Sequence, residues 1–237
     1  MLEALGQALA LIGSLDQDLI EIIALSLRVS LSAVLIAAVI GLPLGALLAT
    51  RPFPGRGLVT IVVNTLMGLP PVVVGLFVYL WLSASGPFGP LQLLYTPAAM
   101  IVAQTILVAP ILVALSRQIV ADLDEEMGEQ LSVLGTGALQ RAVTLLAEGR
   151  VALVTALLAG FGRAIAEVGA VLIVGGNINH VTRTMTTAIA LETSKGELAL
   201  ALALGLVLIL VAGLINAAAM TLRGADVLRS VAGGRSP

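Results

Sequence analysis

Residues 119–150 read Ile119-Val-Ala-Asp-Leu-Asp-Glu-Glu-Met-Gly-Glu-Gln-Leu-Ser-Val-Leu-Gly-Thr-Gly-Ala-Leu-Gln-Arg-Ala-Val-Thr-Leu-Leu-Ala-Glu-Gly-Arg150. They form the one strongly polar interval between long apolar runs. Asp122, Asp124, Glu125, Glu126, Glu129 and Glu148 all fall within it. Asp122 precedes Glu125 by the spacing of a capping box, which predicts a helix start there. Met127, Leu131 and Leu134 then recur on one face of a short helix. Gly135-Thr136-Gly137 predicts a stop or bend. Leu139, Val143 and Leu146 repeat the spacing in a second short helix. The expectation is a helix-turn-helix projecting into water, acidic on one side and apolar along a stripe. Such a stripe needs a partner to cover it; the alternative is an amphipathic connector packed on its own bundle.

Around this interval the chain is oily. Hydrophobic residues make up 59% of the sequence and charged residues 11%, against about 25% charged in a soluble domain. This is the composition of an integral membrane protein. Long apolar runs with Gly and Pro inside them predict an all-α bundle, since barrel strands would alternate in short segments. The net charge of −2 offers no surface for nucleic acid. With no cysteine, one histidine and one lysine, there is little material for a metal centre or for histidine-based catalysis. No cofactor is expected, and no residue is assigned a catalytic role.

Five spans are predicted, at about 22–48, 58–82, 96–116, 151–174 and 198–222. They are preceded by an interfacial segment over 1–21 and followed by a tail over 223–237. Residues 1–21 lack Lys and Arg, so no signal peptide is expected there. Gly41 and Gly45 in the first span form a G-x-x-x-G that lets another backbone approach, most simply within the subunit. Gly68-Leu-Pro-Pro71 breaks into the second span; Pro70 and Pro71 remove backbone donors and kink it toward protein or a water-filled cavity. Gln104 in the third span needs a hydrogen-bond partner on another helix.

The fourth span carries Arg163 and Glu167, four residues apart on one helical face. Two readings stay open. The pair braces the bundle, or Arg163 helps line an anion path or gate whose pairing changes between states. Asn177 to Gly196 reads as a polar loop carrying Thr182, Thr184, Thr186 and Thr187, with His180 as a solvated loop residue. Placing 119–150 in the cytoplasm puts Arg51, Arg56, Arg117, Arg141, Arg150, Arg223, Arg229 and Arg235 inside. Only Arg183 and Lys195 then lie in outside loops. That positive-inside bias predicts an outside N-terminus and a cytoplasmic C-terminus.

No G-x-x-x-x-G-K-[ST] occurs, so ATP would be hydrolysed by another subunit. Glu129-Gln130-Leu131, three further residues, then Gly135 resemble the first half of the Glu-Ala-Ala…Gly…Ile-x-Leu-Pro loop of ABC importer permeases. The second half departs, with Leu145-Leu146-Ala147-Glu148 at the Ile-x-Leu-Pro position. Gly68-Leu-Pro-Pro-Val-Val-Val-Gly75 and Gly162-Arg-Ala-Ile-Ala-Glu-Val-Gly169 resemble stretches of molybdate, tungstate and sulfate permeases. Leu94-Tyr-Thr-Pro-Ala-Ala-Met-Ile-Val-Ala-Gln104 and Val174-Gly-Gly-Asn-Ile178 look most like tungstate permeases.

The resemblance implies a five-helix type I importer permease of a prokaryotic inner membrane, working by alternating access. It implies two copies of the permease, two ATPase subunits, and an extracytoplasmic binding protein that meets the outer loops at 83–95 and 177–196. The coupling residues it implies are Met127, Glu129, Gln130, Leu131 and Gly135. Path or gate residues would be drawn from Arg163, Glu167, Pro70, Pro71 and Gln104. The alternatives are a molybdate or sulfate/thiosulfate permease of the same class, and a stand-alone secondary transporter or channel, for which no inverted repeat or polar filter is evident.

Overall fold

The structure, a computed structural model, describes residues 2–232, with side chains over 3–222. The expected cytoplasmic positions of the Arg223, Arg229 and Arg235 side chains lie outside the described residues. Among the described residues the chain is all-α. Its helices are α1 (Leu2–Gly13), α2 (Gln17–Thr50), α3 (Arg56–Met67), α4 (Pro71–Leu82), α5 (Pro97–Val133), α6 (Ala138–Glu148), α7 (Arg150–Ile165), α8 (Gly169–Gly175), α9 (Met185–Lys195) and α10 (Leu198–Ala232). Three of them, α2, α5 and α10, are long and apolar enough to cross a membrane. The number rises to five if the pairs α3/α4 and α6/α7 each count as one broken span.

Prolines act differently at different places. Pro43 lies inside α2 and Pro110 inside α5, and both helices continue through them. A single internal Pro removes one bond and crowds one carbonyl. At Pro70-Pro71 the helix ends. The residue before a proline is driven out of the helical region, and Pro70 is itself that residue, extended at φ −62° and ψ 123°. Pro71 then opens α4 at a position where its missing N–H leaves nothing unsatisfied. The expected kink is therefore a full break.

Two compact units make up the chain. Among the described residues, one contains 2–33, 69–107 and 162–213; the other contains 34–68, 108–161 and 214–232. The core of the first is built from Val29, Val74, Val78, Met100, Val171 and Val174 with their neighbours. Here α4 and α8 lie close, because a Cβ at Gly75 would stand 2.8 Å from the Ala170 Cα.

The second unit has its own core of Ala46, Ala49, Val120, Leu131, Ala142 and Leu145. The G-x-x-x-G works here as expected. A Cβ at Gly45 would lie 2.5 Å from the Val113 carbonyl oxygen and 2.8 Å from the Arg117 nitrogen. The Ser116 hydroxyl crosses the same seam and donates to the Leu42 carbonyl at 2.8 Å. None of the α3 residues is buried by the rest of the chain.

Three expectations are corrected. Residues 119–133 do not start a new helix at Asp122, because α5 runs unbroken from Pro97 to Val133. Pro110 does not stop that run, and the Asp122 carboxylate accepts from Gln118 one turn back instead of capping, at 2.8 Å. The stretch 151–174, expected as one continuous helix, holds two, α7 and α8, parted at residues 166–168. The region expected as a polar loop contains α9, opened by Thr184 and Thr187: the Thr187 hydroxyl accepts from the Thr184 N–H at 3.0 Å.

The Gly45 seam makes a quantitative expectation. Gly45→Ala sets a methyl against backbone atoms that cannot turn aside, and lowers stability by about 1–3 kcal/mol. A lower thermal midpoint of the detergent-solubilised protein is the readout; an unchanged midpoint would show that the helices part there at no cost.

Candidate functional site: an exposed elbow and a buried polar cluster

The elbow begins where α5 stops. Gly135 is left-handed, at φ 69°, a conformation glycine adopts without a Cβ penalty. The Gly135 N–H donates to the Ser132 carbonyl at 3.0 Å, and the Thr136 N–H to the Leu131 carbonyl at 3.2 Å. These two bonds are the Schellman closure of a helix C-terminus. The Gln140 side chain reaches back to accept from the Gly137 N–H at 3.3 Å, which opens α6. The turn predicted at Gly135 and the second short helix are therefore where the spacing puts them. The pair α6/α7 bends by 74° at Gly149.

The apolar stripe divides between two tasks. Leu131, Ala142 and Leu145 are buried in the second unit's core with Ala46 and Ala49 of α2, and Met127 packs against it. Val133 (88% exposed), Leu134 (75%), Leu139 (63%) and Val143 (58%) stand out at the tip. Glu129 and Gln130 are exposed beside them. Arg141 of α6 reaches back across α5, donating from Nε to the Asp124 Oδ1 and from Nη1 to the Ser132 hydroxyl. A tip with several large apolar groups in the open and a braced base is a surface built to be covered.

In the other unit, Arg163 and Glu167 meet: Nη1 donates to Oε2 at 2.6 Å. They do not share a helical face, since α7 ends at Ile165. The pair forms across the break. The Glu167 side chain is 3% exposed and the Arg163 side chain 38%. The other Glu167 carboxylate oxygen accepts from the Ala170 N–H at 3.1 Å and so caps α8. The Thr186 hydroxyl donates to the Glu167 carbonyl at 2.7 Å. Gln104 is buried and donates to the Ala164 carbonyl at 3.0 Å, the cross-helix bond expected of it; its Oε1 has no partner. Pro70 is exposed on this chain and Pro71 half-buried.

The threonines are the part that the sequence reading missed. Thr182, Thr184, Thr186 and Thr187 are all buried. Thr182 donates to the Gly175 carbonyl at 2.6 Å and Thr187 to the Asn177 side chain at 2.9 Å. The Met185 N–H donates to the Ser26 hydroxyl at 2.8 Å. The spacing Thr184-x-x-Thr187 before an apolar run was the available signal for a helix start.

His180, left-handed at φ 57°, pairs with Glu21 of α2 through Nδ1 at 2.8 Å. The Glu21 hydrogen bond, then its charge, raises the His180 pKa above its ordinary 6.5; Asp18 adds to this and Arg183 opposes it.

Two expectations follow. Arg163→Ala leaves Glu167 with only the Ala170 N–H. Because Arg163 is more than a third exposed, the cost is about 1–3 kcal/mol rather than the ~3–5 kcal/mol of a fully buried pair. Denaturant titration in mixed micelles reads this, and a wild-type midpoint would show that water already screens the pair. The His180–Glu21 tie has the sign of a raised histidine: complete below pH 6.5 and lost as pH rises through the elevated value. Hydrogen exchange at 178–182, corrected for intrinsic rate, should quicken on the alkaline side in the wild type and show no such step in His180→Gln. A step in both would assign it to another group.

Comparison with known proteins gives a consistent picture. Residues 41–224 match the family described as binding-protein-dependent transport system inner membrane component. The chain is 41% identical over 221 residues to the tungstate uptake system permease protein TupB of Peptoclostridium acidaminophilum, spanning 93% of this chain and 97% of that one. It is 38% identical over 210 residues to the protein of the same name from Campylobacter jejuni, 89% and 88% of the two chains. A Haloferax volcanii protein named a probable anion ABC transporter permease is 47% identical over 185 residues, 76% of this chain and 80% of that one.

Proposed function

We propose that this chain, which belongs to the family of binding-protein-dependent transport system inner membrane components, is the permease of a tungstate importer. The observation that carries the substrate is its likeness, along nearly its whole length, to two relatives named for tungstate uptake. The chain is a multi-pass transport subunit of the inner membrane, and ATP hydrolysis belongs to a partner. In this reading the elbow faces the cytoplasm, with the N-terminus outside and the C-terminus inside.

Two permease copies form one pathway. The open face of α3, with no residue buried by its own chain, supports contact with lipid or with the second copy. Two ATPase subunits sit on the two elbows. The exposed tip at Val133, Leu134, Leu139 and Val143 provides the apolar contact, and Glu129 and Gln130 the polar one. Leu131 and Met127 act from beneath by holding the tip in shape, and Gly135 by allowing the turn.

The elbow and the polar cluster are linked through the chain itself. Residues 97–133 form one uninterrupted helix that includes Gln104, and α7 runs from Arg150 to Ile165 and carries Arg163. When the ATPases close, these helices shift and the permease changes between inward-open and outward-open states. Arg163, half-exposed and tethered to Glu167, supplies a guanidinium that can leave its carboxylate for a passing dianion. Gln104 and the Pro70-Pro71 break border the same route. A binding protein delivers the anion at the outer loops 83–95 and 177–196.

The permease, reconstituted in liposomes with its ATPase and loaded binding protein, is expected to take up tungstate only with ATP, and tungstate should outcompete molybdate and sulfate. Glu129→Lys is expected to weaken ATPase assembly and lower uptake in parallel. Uptake without nucleotide would favour a stand-alone transporter, and normal assembly in Glu129→Lys would remove that residue from the docking surface.

A further inference from the structure

We infer that Arg141 is the positioning residue that holds the elbow at a fixed angle, and that transport follows ATP hydrolysis only while its guanidinium is seated on α5. This rests on reading the elbow as the ATPase-docking element. Asp124, Gly128 and Ser132 stand four apart on the last turns of α5, so they form one row on one face. Arg141, near the start of α6, lies across that row. Its Nε donates to Asp124 and its Nη1 donates to the Ser132 hydroxyl at 3.2 Å.

Between the two lies Gly128, and there the Nη2 occupies the place a Cβ would take. The Ser132 hydroxyl donates its own proton to the Gly128 carbonyl at 2.7 Å, which leaves its lone pairs for the guanidinium. Glycine inside a helix is less favourable than alanine by about 1 kcal/mol. The nearest atoms to a Cβ at Gly128 are those of Arg141 and Asp124, so the seat for the guanidinium is what the missing side chain provides.

The pair is sheltered, with the Arg141 side chain 25% exposed and that of Asp124 20%. A fully solvated pair would give little rigidity. The two limbs are also joined by Leu134-Gly135-Thr136-Gly137, a turn with two glycines, and by the core in which Leu131, Ala142 and Leu145 meet Val120 and, from α2, Ala46 and Ala49. A load applied at the tip would open such a joint. A planar fork fixed at two points on one helix resists that opening; an ammonium, with a single point of charge, resists it less.

The test compares Arg141→Ala, Arg141→Lys, Asp124→Asn and Gly128→Ala in the full complex with ATPase and binding protein, using radiolabelled tungstate. Gly128→Ala removes no partner and favours the helix, and its methyl crowds the Arg141 Nη2, so the guanidinium has to shift in its seat. Assembly and ATP hydrolysis are expected to persist in Arg141→Ala while tungstate moved per ATP falls by about tenfold, the size of an ordinary coupling free energy. Arg141→Lys is expected to recover part of the ratio.

A wild-type ratio in Arg141→Ala overturns the proposal; if that variant does not assemble, Asp124→Asn, which removes the charge that seats the Arg141 Nε, decides in the same way. A wild-type complex that moves no tungstate sinks the substrate reading instead. The strut is then judged on the permease alone, by spin labels on E125C and T144C in a chain that has no other cysteine. One narrow distance should broaden in Arg141→Ala, and an unbroadened distance overturns the strut whatever the anion.

Discussion

Hydrocarbon offers no hydrogen bond, so a chain that interrupts its helices near a membrane has to close each interruption with groups of its own. With only 11% charged residues, most of these closures fall to neutral polar groups and the backbone. At 166–168 the Glu167 carboxylate neutralises Arg163 and also caps α8. At 176–185 buried threonines and Asn177 satisfy one another and the backbone. At 68–71 the prolines reduce the demand by having no N–H to satisfy. The elbow closes its own α5 terminus through Gly135 and Thr136.

This economy explains which parts were legible in the sequence. Composition alone requires a membrane bundle, because no soluble core could use so many apolar residues. Local signals of one kind were also readable. Gly135 marks a turn whose left-handed φ only glycine takes cheaply, and Gly41 with Gly45 marks a close helix approach. Gln104 found the partner that a buried amide needs.

The errors arose where two local signals competed. Asp122 and Glu125 have the spacing of a cap, but nothing before Asp122 stops α5, and a helix already running is cheaper to extend than to restart. Polar threonines at 182–187 resemble a solvated loop by composition. In the fold they are consumed internally and open α9. Arg163 and Glu167 were paired correctly for a reason that does not hold, since the helix between them ends first. The Asp124–Gly128–Ser132 row was invisible as a site. Its meaning depends on Arg141, which belongs to the next helix.

The family places ATP hydrolysis on a partner subunit, and in the proposed reading the elbow is where that partner's work enters. The cysteine-free sequence allows this to be measured directly. A single Q130C substitution is treated with a membrane-impermeant maleimide in intact cells, then in inside-out vesicles with and without the ATPase subunit. The predicted result is no labelling from outside, full labelling from the cytoplasmic side, and protection when the ATPase is bound. Labelling in intact cells, or labelling that the ATPase leaves unchanged, would contradict it.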